Sequence, residues 1–228
     1  MIYIENSRLR NVLKIIVPFV LIPLLVILGA VFFKERRYII ISIGVAALSL
    51  LLFAAGYEKK PTGSRRMNIV AVMTALCITG RFIPFFKPIT ALTIITAIHL
   101  GGEAGFLVGA LAALLSNFYF GQGPWTPFQM LAWGMVGLLA GFMADPLKRS
   151  KCLLLVYGVL AGIFYSAVMD IWTVIWYDGS FHTELYLTAL LTAIPHTLMY
   201  SVSNFIFLWF MAKPFSEKLE RVKIKYGI

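Results

Sequence analysis

The stretch SNFYFGQGPWTPFQMLAWG, residues 116–134, joins two strongly apolar segments of the chain. Its glycines and prolines predict a turn, but its amides and aromatic rings exceed what a plain turn between two helices needs. Such side chains stack on flat organic molecules and form hydrogen bonds with them. The stretch therefore predicts a binding surface at a helix junction, and its candidate ligand contacts are Asn117, Gln122, Trp125, Gln129 and Trp133.

The composition of the chain indicates that this junction belongs to a membrane protein. Of the 228 residues, 60% are hydrophobic and 13% are charged, whereas an ordinary soluble domain has about half apolar and about a quarter charged residues. The net charge of +10 comes from short basic clusters between apolar runs, a pattern typical of topology signals and not of a nucleic-acid surface. We expect an integral protein of the lipid bilayer with no nucleic-acid partner.

Motifs for metal binding or catalysis are absent from the sequence. The two cysteines, Cys77 and Cys152, are isolated and have neither disulfide nor metal-ligand spacing. No HExxH, Ser-His-Asp, Walker A or paired-carboxylate arrangement stands out. We therefore expect no metal, no cofactor and no catalytic residues, and hence a protein that is not an enzyme.

Eight apolar segments predict an all-α membrane fold, because about 20 helical residues cross the ~30 Å hydrocarbon layer. They are residues 15–33, 38–57, 67–82, 88–100, 103–120, 124–143, 152–177 and 184–212. Segment 88–100 is short, and we expect it to be tilted or partly re-entrant. The predicted domains are an N-terminal transmembrane hairpin at 1–60, a cytoplasmic linker at 61–66, a six-helix core at 67–213 and a basic cytoplasmic tail at 214–228.

Basic residues predict the orientation, since they mark the cytoplasmic side in short loops. With eight spans, four basic clusters fall on one side, at residues 8–14, 59–66, 148–151 and 213–225. Both termini are then cytoplasmic, and the stretch 116–134 lies at the outer face. The cluster at 34–37 is the exception, and it concerns only the N-terminal hairpin.

One acid, Asp170, lies well inside an apolar segment, where a charge costs about 2.5–3.5 kcal/mol on insertion scales. It should face protein or water, and Tyr177 shares its helical face. These side chains either contact a ligand or form structural hydrogen bonds. A second polar stripe on the last segment is either a wall of the same cavity or a set of interhelical polar groups, and it contains His196, Tyr200, Ser203 and Asn204.

Two basic residues, Arg81 before the segment IPFFKP and Lys87 within it, lie at the predicted outer surface. They can meet an anionic group of a ligand or extend to lipid headgroups. Small residues recur at every fourth position elsewhere, which lets helix backbones approach closely. These series are Gly101, Gly105, Gly109 and Ala113, then Gly137 and Gly141, and finally Ala71 and Ala75.

The chain shows no energy source of its own, which fits a substrate-capturing subunit. From residue 67 to about residue 213 it resembles the substrate-binding S components of energy-coupling factor (ECF) transporters, in the runs RRMNIVAVMTALCITGR, GQGPWTPFQM, YSAVMDIWTVI and IPHTLMYSVSNFIF. The resemblance implies a six-helix bundle in a prokaryotic cell membrane with a vitamin cavity near the extracellular side. It also implies partners, namely a transmembrane coupling subunit and two ATPase subunits.

Two further expectations depend on this resemblance. Ala71 and Ala75 occupy the AxxxA positions that such proteins press against the coupling subunit, whereas the N-terminal hairpin departs from the usual pattern. The GQGPWTPFQM run is most similar to the cobalamin or corrinoid-precursor subgroup, and riboflavin is the alternative. Either ligand offers partners for the side-chain amides, for Trp125 and for the basic pair Arg81 and Lys87.

Two other interpretations stay open at this point. A membrane enzyme acting on a lipid or isoprenoid would use Asp170 and His196. A structural or assembly subunit would use the outer aromatic loop to contact another protein.

Overall fold

Residues 6–32, 38–56 and 63–227 are described by a computed structural model, and every regular element within them is a helix. The bounds of these helices are α1 Ser7–Ile16, α2 Ile22–Phe32, α3 Tyr38–Ala55, α4 Gly63–Gly80, α5 Ile89–Leu100, α6 Gly102–Phe120, α7 Thr126–Phe142, α8 Ala144–Arg149, α9 Lys151–Asp178, α10 Thr183–Thr192 and α11 Ile194–Tyr226. A π-helical turn, Val17–Leu21, joins α1 to α2.

The length and composition of the helices confirm an all-α membrane protein. Four described stretches are long and apolar enough to cross a bilayer, and the bent pair α10 and α11 would make a fifth. The four are Ser7–Val31, Tyr38–Ala55, Gly102–Phe120 and Lys151–Asp178. Helices α5 and α7 are apolar but shorter, and α4 is not among the four stretches either. Fewer described helices therefore pass this test than the eight segments counted in the sequence.

The short helix α5 lies at the centre of the bundle. All of its 12 residues are buried, and α4, α6, α7, α8, α9 and α11 contact it. A helix of this length rises only about 18 Å, less than the ~30 Å of the hydrocarbon layer. Because protein rather than lipid surrounds it, α5 does not need a full spanning length.

Helices α6 and α7 pack with their backbones in close contact. A Cβ atom on Gly109 would lie 2.5 Å from the carbonyl oxygen of Trp133, and one on Gly137 would lie 2.6 Å from the carbonyl oxygen of Gly105. Both distances are too short for a side chain, so only glycine fits. The predicted packing role of these glycines is confirmed.

The N-terminal hairpin packs on α6 and α7 through α3. At one end, Lys14 forms an ion pair with Glu103 at 2.9 Å, and Arg66 donates to the carbonyl oxygens of Gly56 and Leu100. At the other end, the hydroxyl of Tyr38 lies 3.5 Å from the carbonyl oxygen of Gln122. Helix α3 therefore starts beside the loop after α6 and ends beside Glu103.

The last predicted segment, 184–212, is not one helix. The chain bends by 58° between α10 and α11, where Ala193 separates them and Pro195 occupies the first turn of α11. Proline lacks an N–H and clashes with the preceding turn, so an uninterrupted helix through this point was the wrong prediction. Helix α11 then continues to Tyr226, and residues 214–226 of the predicted tail are helical.

The extension of α11 is attached to the bundle by polar contacts. The imidazole nitrogens of His99 lie 2.8 Å from Glu220 and 2.8 Å from Ser216, and Lys148 approaches the same Glu220 carboxylate at 3.7 Å. These contacts join α5, α8 and α11 at the end where Glu103 lies. Residues 63–66 of the predicted linker form the start of α4, whereas 61–62 and the basic cluster at 34–37 lie outside the described residues.

Candidate functional site

Arg81 follows the last turn of α4, and its backbone N–H still bonds to that helix. Its guanidinium donates to the Ser116 hydroxyl and to the side-chain oxygen of Asn117 on α6. The Nε atom of Arg81 is buried and has no hydrogen-bond partner within the described residues. Arg81 thus places a partly unsatisfied cation at the loop end of the bundle.

A chain of buried amides continues from this contact into the bundle. The Asn117 side-chain nitrogen donates to the Thr126 hydroxyl at 2.9 Å and to the side-chain oxygen of Gln129 at 2.9 Å. Gln129 in turn donates to the hydroxyl of Tyr165 at 3.2 Å. Hydrogen bonds are stronger in such a water-poor interior, and this chain links α4, α6, α7 and α9.

Three aromatic rings lie against the amide chain. Trp133 and Tyr165 are stacked with ring centroids 4.9 Å apart, and Tyr200 meets Tyr165 edge-on at 5.0 Å. The guanidinium of Arg81 lies 5.6 Å from the Trp133 ring centroid, within cation–π range. We call this group the Arg81 cluster, and its members are Arg81, Ser116, Asn117, Thr126, Gln129, Trp133, Tyr165 and Tyr200.

The loop between α6 and α7 is ordered by its own side chains. Gln122 donates to the Leu114 carbonyl oxygen at 2.8 Å and accepts from Thr126 at 3.1 Å. Trp125 packs edge-on against Trp172 of α9, with ring centroids 5.7 Å apart. Gln122 and Trp125 therefore shape the loop that adjoins the Arg81 cluster, while Asn117, Gln129 and Trp133 belong to the cluster itself.

A second loop, between α4 and α5, brings a further cation to this end. The Lys87 ammonium lies 5.8 Å from the Phe120 ring centroid, and the Arg81 guanidinium lies 4.8 Å from the same centroid. The Ser203 hydroxyl holds the backbone of Lys87 through bonds of 3.0 and 3.2 Å. Burial lowers the pKa of Lys87, and the nearby charge of Arg81 lowers it further.

This loop also contains one strained residue. Phe85 has φ 61°, in the left-handed region, which is uncommon for a residue other than glycine and costs free energy. Its side chain is exposed, as are the other residues from Phe82 to Phe86. The loop therefore covers the Arg81 end of the bundle with exposed aromatic side chains.

Asp170 is buried on α9 beyond Tyr165, with 8% of its surface exposed. One of its carboxylate oxygens has no hydrogen-bond partner within the part of the chain described. His196 and Tyr186 lie close enough to interact with its charge, although His196 itself is exposed. The structure thus brings Asp170 and His196 near each other, as one buried and one surface group.

Two predicted contacts lie apart from the Arg81 cluster. Tyr177 is 80% exposed near the end of α9. Asn204 is buried but donates to the Gly158 carbonyl oxygen at 3.0 Å, and Gly158 lies about two helical turns along α9 from Tyr165. Asn204 therefore takes part in the α9–α11 contact.

Tyr165, Ser116 and Thr126 were not among the candidate site residues predicted from the sequence. Tyr165 lies in the run YSAVMD, and a tyrosine within an apolar span has a polar hydroxyl that needs a partner. That signal could have found it. Ser116 and Thr126 lie inside the quoted stretch 116–134, where the amides and tryptophans were the more conspicuous residues.

Ala71 and Ala75 lie on the outer face of α4 and are exposed, whereas Met73 and Cys77 on the same helix are buried. Val72 and Leu76 beside them are exposed as well, so this side of α4 faces away from the interior of the bundle. Among the residues the structure describes, no group of three or more His, Cys, Asp or Glu residues could hold a metal ion.

Comparison with known proteins identifies the family. The family model described as "ECF-type riboflavin transporter, S component" matches residues 63–217. The chain belongs to this family. The matched S-component region runs from the start of α4 into the extension of α11 and leaves the N-terminal hairpin outside. No curated protein and no solved structure matches the chain.

Membership supports the predicted class of function. S components are membrane subunits of vitamin transporters that work with ECF coupling and ATPase subunits, and the family is not a class of enzymes. The family match gives no support to the lipid-enzyme interpretation of Asp170 and His196. The family name gives riboflavin and does not mention cobalamin, so the corrinoid subgroup stays a prediction.

Proposed function

We propose that this S component captures a planar vitamin of the flavin class at the Arg81 cluster. One observation carries the proposal: a buried chain of amide hydrogen bonds lies directly beside the stacked pair Trp133 and Tyr165. Specific ligand sites combine aromatic walls with a few placed polar groups. The family match supports the same ligand class.

The chemistry of the cluster suits a flavin ring. A flavin is flat and carries carbonyl and N–H groups along one edge, so it can stack on an indole or phenol ring. Asn117 and Gln129 each offer both donors and acceptors. Their present bonds to each other and to Tyr165 occupy these groups, and a ligand would exchange them for its own.

A corrinoid is the second candidate, favoured by the two cations beside Phe120. Arg81 and Lys87 both lie within 6 Å of that ring, a concentration of positive charge that suits a phosphate. A corrinoid with a nucleotide loop carries a phosphate as well as many amides. Its macrocycle is bulkier than a flavin, however, and would require a larger separation of the rings now in contact.

The distribution of charge supports capture from the outer side. The loop end with the Arg81 cluster lies opposite the end with Lys14, Arg66 and Lys148, where basic residues collect. Under the positive-inside rule the basic end is cytoplasmic. The ligand then enters from outside, and the exposed Ala71 and Ala75 face of α4 contacts the coupling subunit.

Binding to the purified chain tests the proposal. We expect riboflavin to bind at micromolar concentration or tighter and its fluorescence to fall as the isoalloxazine stacks on tryptophan. Trp133→Leu should weaken binding, whereas Trp209→Leu, on the distant part of α11, should not.

The ligand panel distinguishes the candidates. Riboflavin, its 5′-phosphate, cobalamin and cobinamide are compared under the same conditions. Binding of cobalamin without riboflavin would replace the flavin assignment with a corrinoid. Failure of all four ligands, with the protein still folded, would remove the vitamin-capture proposal.

A further inference from the structure

A second site lies away from the Arg81 cluster, in a groove between α9 and α11. It encloses about 480 Å³ and its walls are almost entirely apolar. The lining residues are Lys151, Cys152, Leu155, Val156, Val159, Leu160, Phe205 and Trp209. Phe205 and Trp209 stack at 5.9 Å and form the α11 wall.

The groove is about as long, measured along α9, as the hydrocarbon part of one membrane leaflet is thick. From Lys151 to Leu160 the α9 wall rises about 13 Å, close to half of the ~30 Å hydrocarbon layer. Val156 and Leu160 are exposed within the groove, so it opens toward the region where lipid chains lie. An acyl chain running along the helix axis matches this length and this apolar surface.

Basic side chains lie near the Lys151 end of the groove. The Lys151 ammonium lies 3.7 Å from the centroid of the half-exposed Trp209 ring, and Trp and Lys are typical of the headgroup level. Arg149, two residues before Lys151, is exposed. Lys213 follows Trp209 by four residues, so it shares that helical face and is also exposed.

We propose that this groove binds an anionic phospholipid. One acyl chain lies between α9 and α11, and the phosphate of the headgroup pairs with Lys151, supported by Arg149 and Lys213. Basic pockets between membrane helices bind anionic headgroups in this way. The site is independent of the vitamin-binding proposal, because it shares no residue with the Arg81 cluster.

Cys152 provides a reporter, since it lines the groove and is exposed while Cys77 is buried. The full-length protein is placed in nanodiscs of phosphatidylcholine alone or with phosphatidylglycerol, and the rate of maleimide addition to Cys152 is measured. We expect the anionic lipid to slow this reaction several-fold. Lys151→Gln should abolish the slowing, and Lys218→Gln, which removes an exposed cation farther along α11, should preserve it.

The comparison uses the ratio of the rates in the two lipids, because removing Lys151 also changes the reactivity of the neighbouring thiol. Native mass spectrometry gives an independent readout: phosphatidylglycerol should remain bound to the wild type and be lost from Lys151→Gln and from the groove-filling Leu155→Trp. Equal rate ratios in wild type and Lys151→Gln would overturn the proposal. The proposal would also be overturned if maleimide addition to Cys152 became slower only when the coupling subunit was present. That result would indicate a protein contact at the groove.

Discussion

The side-chain amide of Gln129 donates to the Tyr165 hydroxyl at 3.2 Å and thereby joins α7 to α9 in the interior of the bundle. Tyr165 is also stacked on Trp133. One phenol ring thus belongs both to the amide chain and to the aromatic wall. Because of this dual contact, we expect a change at Tyr165 to affect both the stability of the bundle and ligand binding.

Tyr165→Phe should keep the ring stack and lose the hydrogen bond. It leaves one donor of Gln129 unpaired, and a buried unpaired polar group costs about 1–3 kcal/mol. We expect a lower melting temperature and weaker ligand binding. Thermal unfolding in detergent and ligand titration measure the two effects.

Tyr157→Phe is the matched control. The Tyr157 hydroxyl donates to the Val136 carbonyl oxygen at 2.6 Å and also joins α9 to α7, but Tyr157 is not a member of the Arg81 cluster. Loss of this hydrogen bond should lower the melting temperature about as much as Tyr165→Phe does and should leave ligand affinity unchanged. If both variants weakened ligand binding equally, the effect of Tyr165 would reflect helix pairing alone.

Asp170→Asn tests the buried acid on α9. The substitution keeps the shape and removes a charge whose second oxygen lacks a partner within the described part of the chain. Because an amide is less costly than a carboxylate in a membrane interior, we expect stability to be equal or higher. Because Asp170 is a predicted ligand contact, we also expect ligand affinity to fall.

The control for Asp170→Asn is the same substitution at Asp178, which is exposed at the end of the same helix. Asp178→Asn removes a surface pair with His182 and should change neither stability nor affinity appreciably. An Asp170→Asn protein that binds ligand as the wild type does would assign Asp170 a structural role.

Ala71→Trp and Ala75→Trp should stop uptake while preserving ligand binding by the purified chain. Both positions are exposed on α4, so a large ring fits the isolated protein. It would prevent the close helix approach that small residues permit. Uptake by cells that contain the whole transporter is compared with ligand titration of the purified variant.

Ala47→Trp supplies the same substitution at an exposed position on α3 of the hairpin. We expect normal uptake from this protein. If Ala47→Trp also lost uptake, the hairpin face would be a partner contact as well. If Ala71→Trp or Ala75→Trp lost ligand binding, the assignment of this α4 face to docking would be contradicted.

Gly109→Ala should destabilise the bundle. The new Cβ atom would lie 2.5 Å from the backbone oxygen of Trp133, and backbone cannot move aside as a flexible side chain can. We expect a loss of about 1–3 kcal/mol, the usual range for overpacking, and displacement of Trp133 from Tyr165. The melting temperature and the ligand affinity should both fall.

Gly44→Ala is the corresponding control on α3. Its Cβ atom would meet only the end of the flexible Leu25 side chain, at 2.8 Å, so a small rotation of that side chain relieves the contact. A similar loss of stability in both variants would mean that the α6–α7 contact is not specially close.

Much of the helical architecture could be predicted from the sequence. The starts and ends of α3, α5, α6 and α9 agree with the apolar segments to within a few residues, and the glycine series does mark the α6–α7 contact. The bend at Ala193 was missed, although Pro195 is visible in the sequence, because the apolar run continues through it.

The candidate site was only partly predictable. Asn117, Gln129 and Trp133 could be selected because amides and tryptophan are unusual beside apolar runs. Their partner Tyr165 lies 36 residues beyond Gln129, and Asn204, on the same stripe as Tyr200, bonds to Gly158 instead. No local sequence pattern shows that Tyr165 belongs to the Arg81 cluster and that Asn204 does not.

The sequence alone specified the membrane environment, most of the helical segments and the family, because these depend on the transfer free energy of successive side chains and on contiguous motifs. The tertiary structure alone decided which polar groups meet. Rotation of each helix about its axis and the close α6–α7 contact bring Arg81, Asn117, Gln129 and Tyr165 into one hydrogen-bonded chain. Contacts of this kind depend on the packing of several helices at once, so residue spacing along the chain does not specify them.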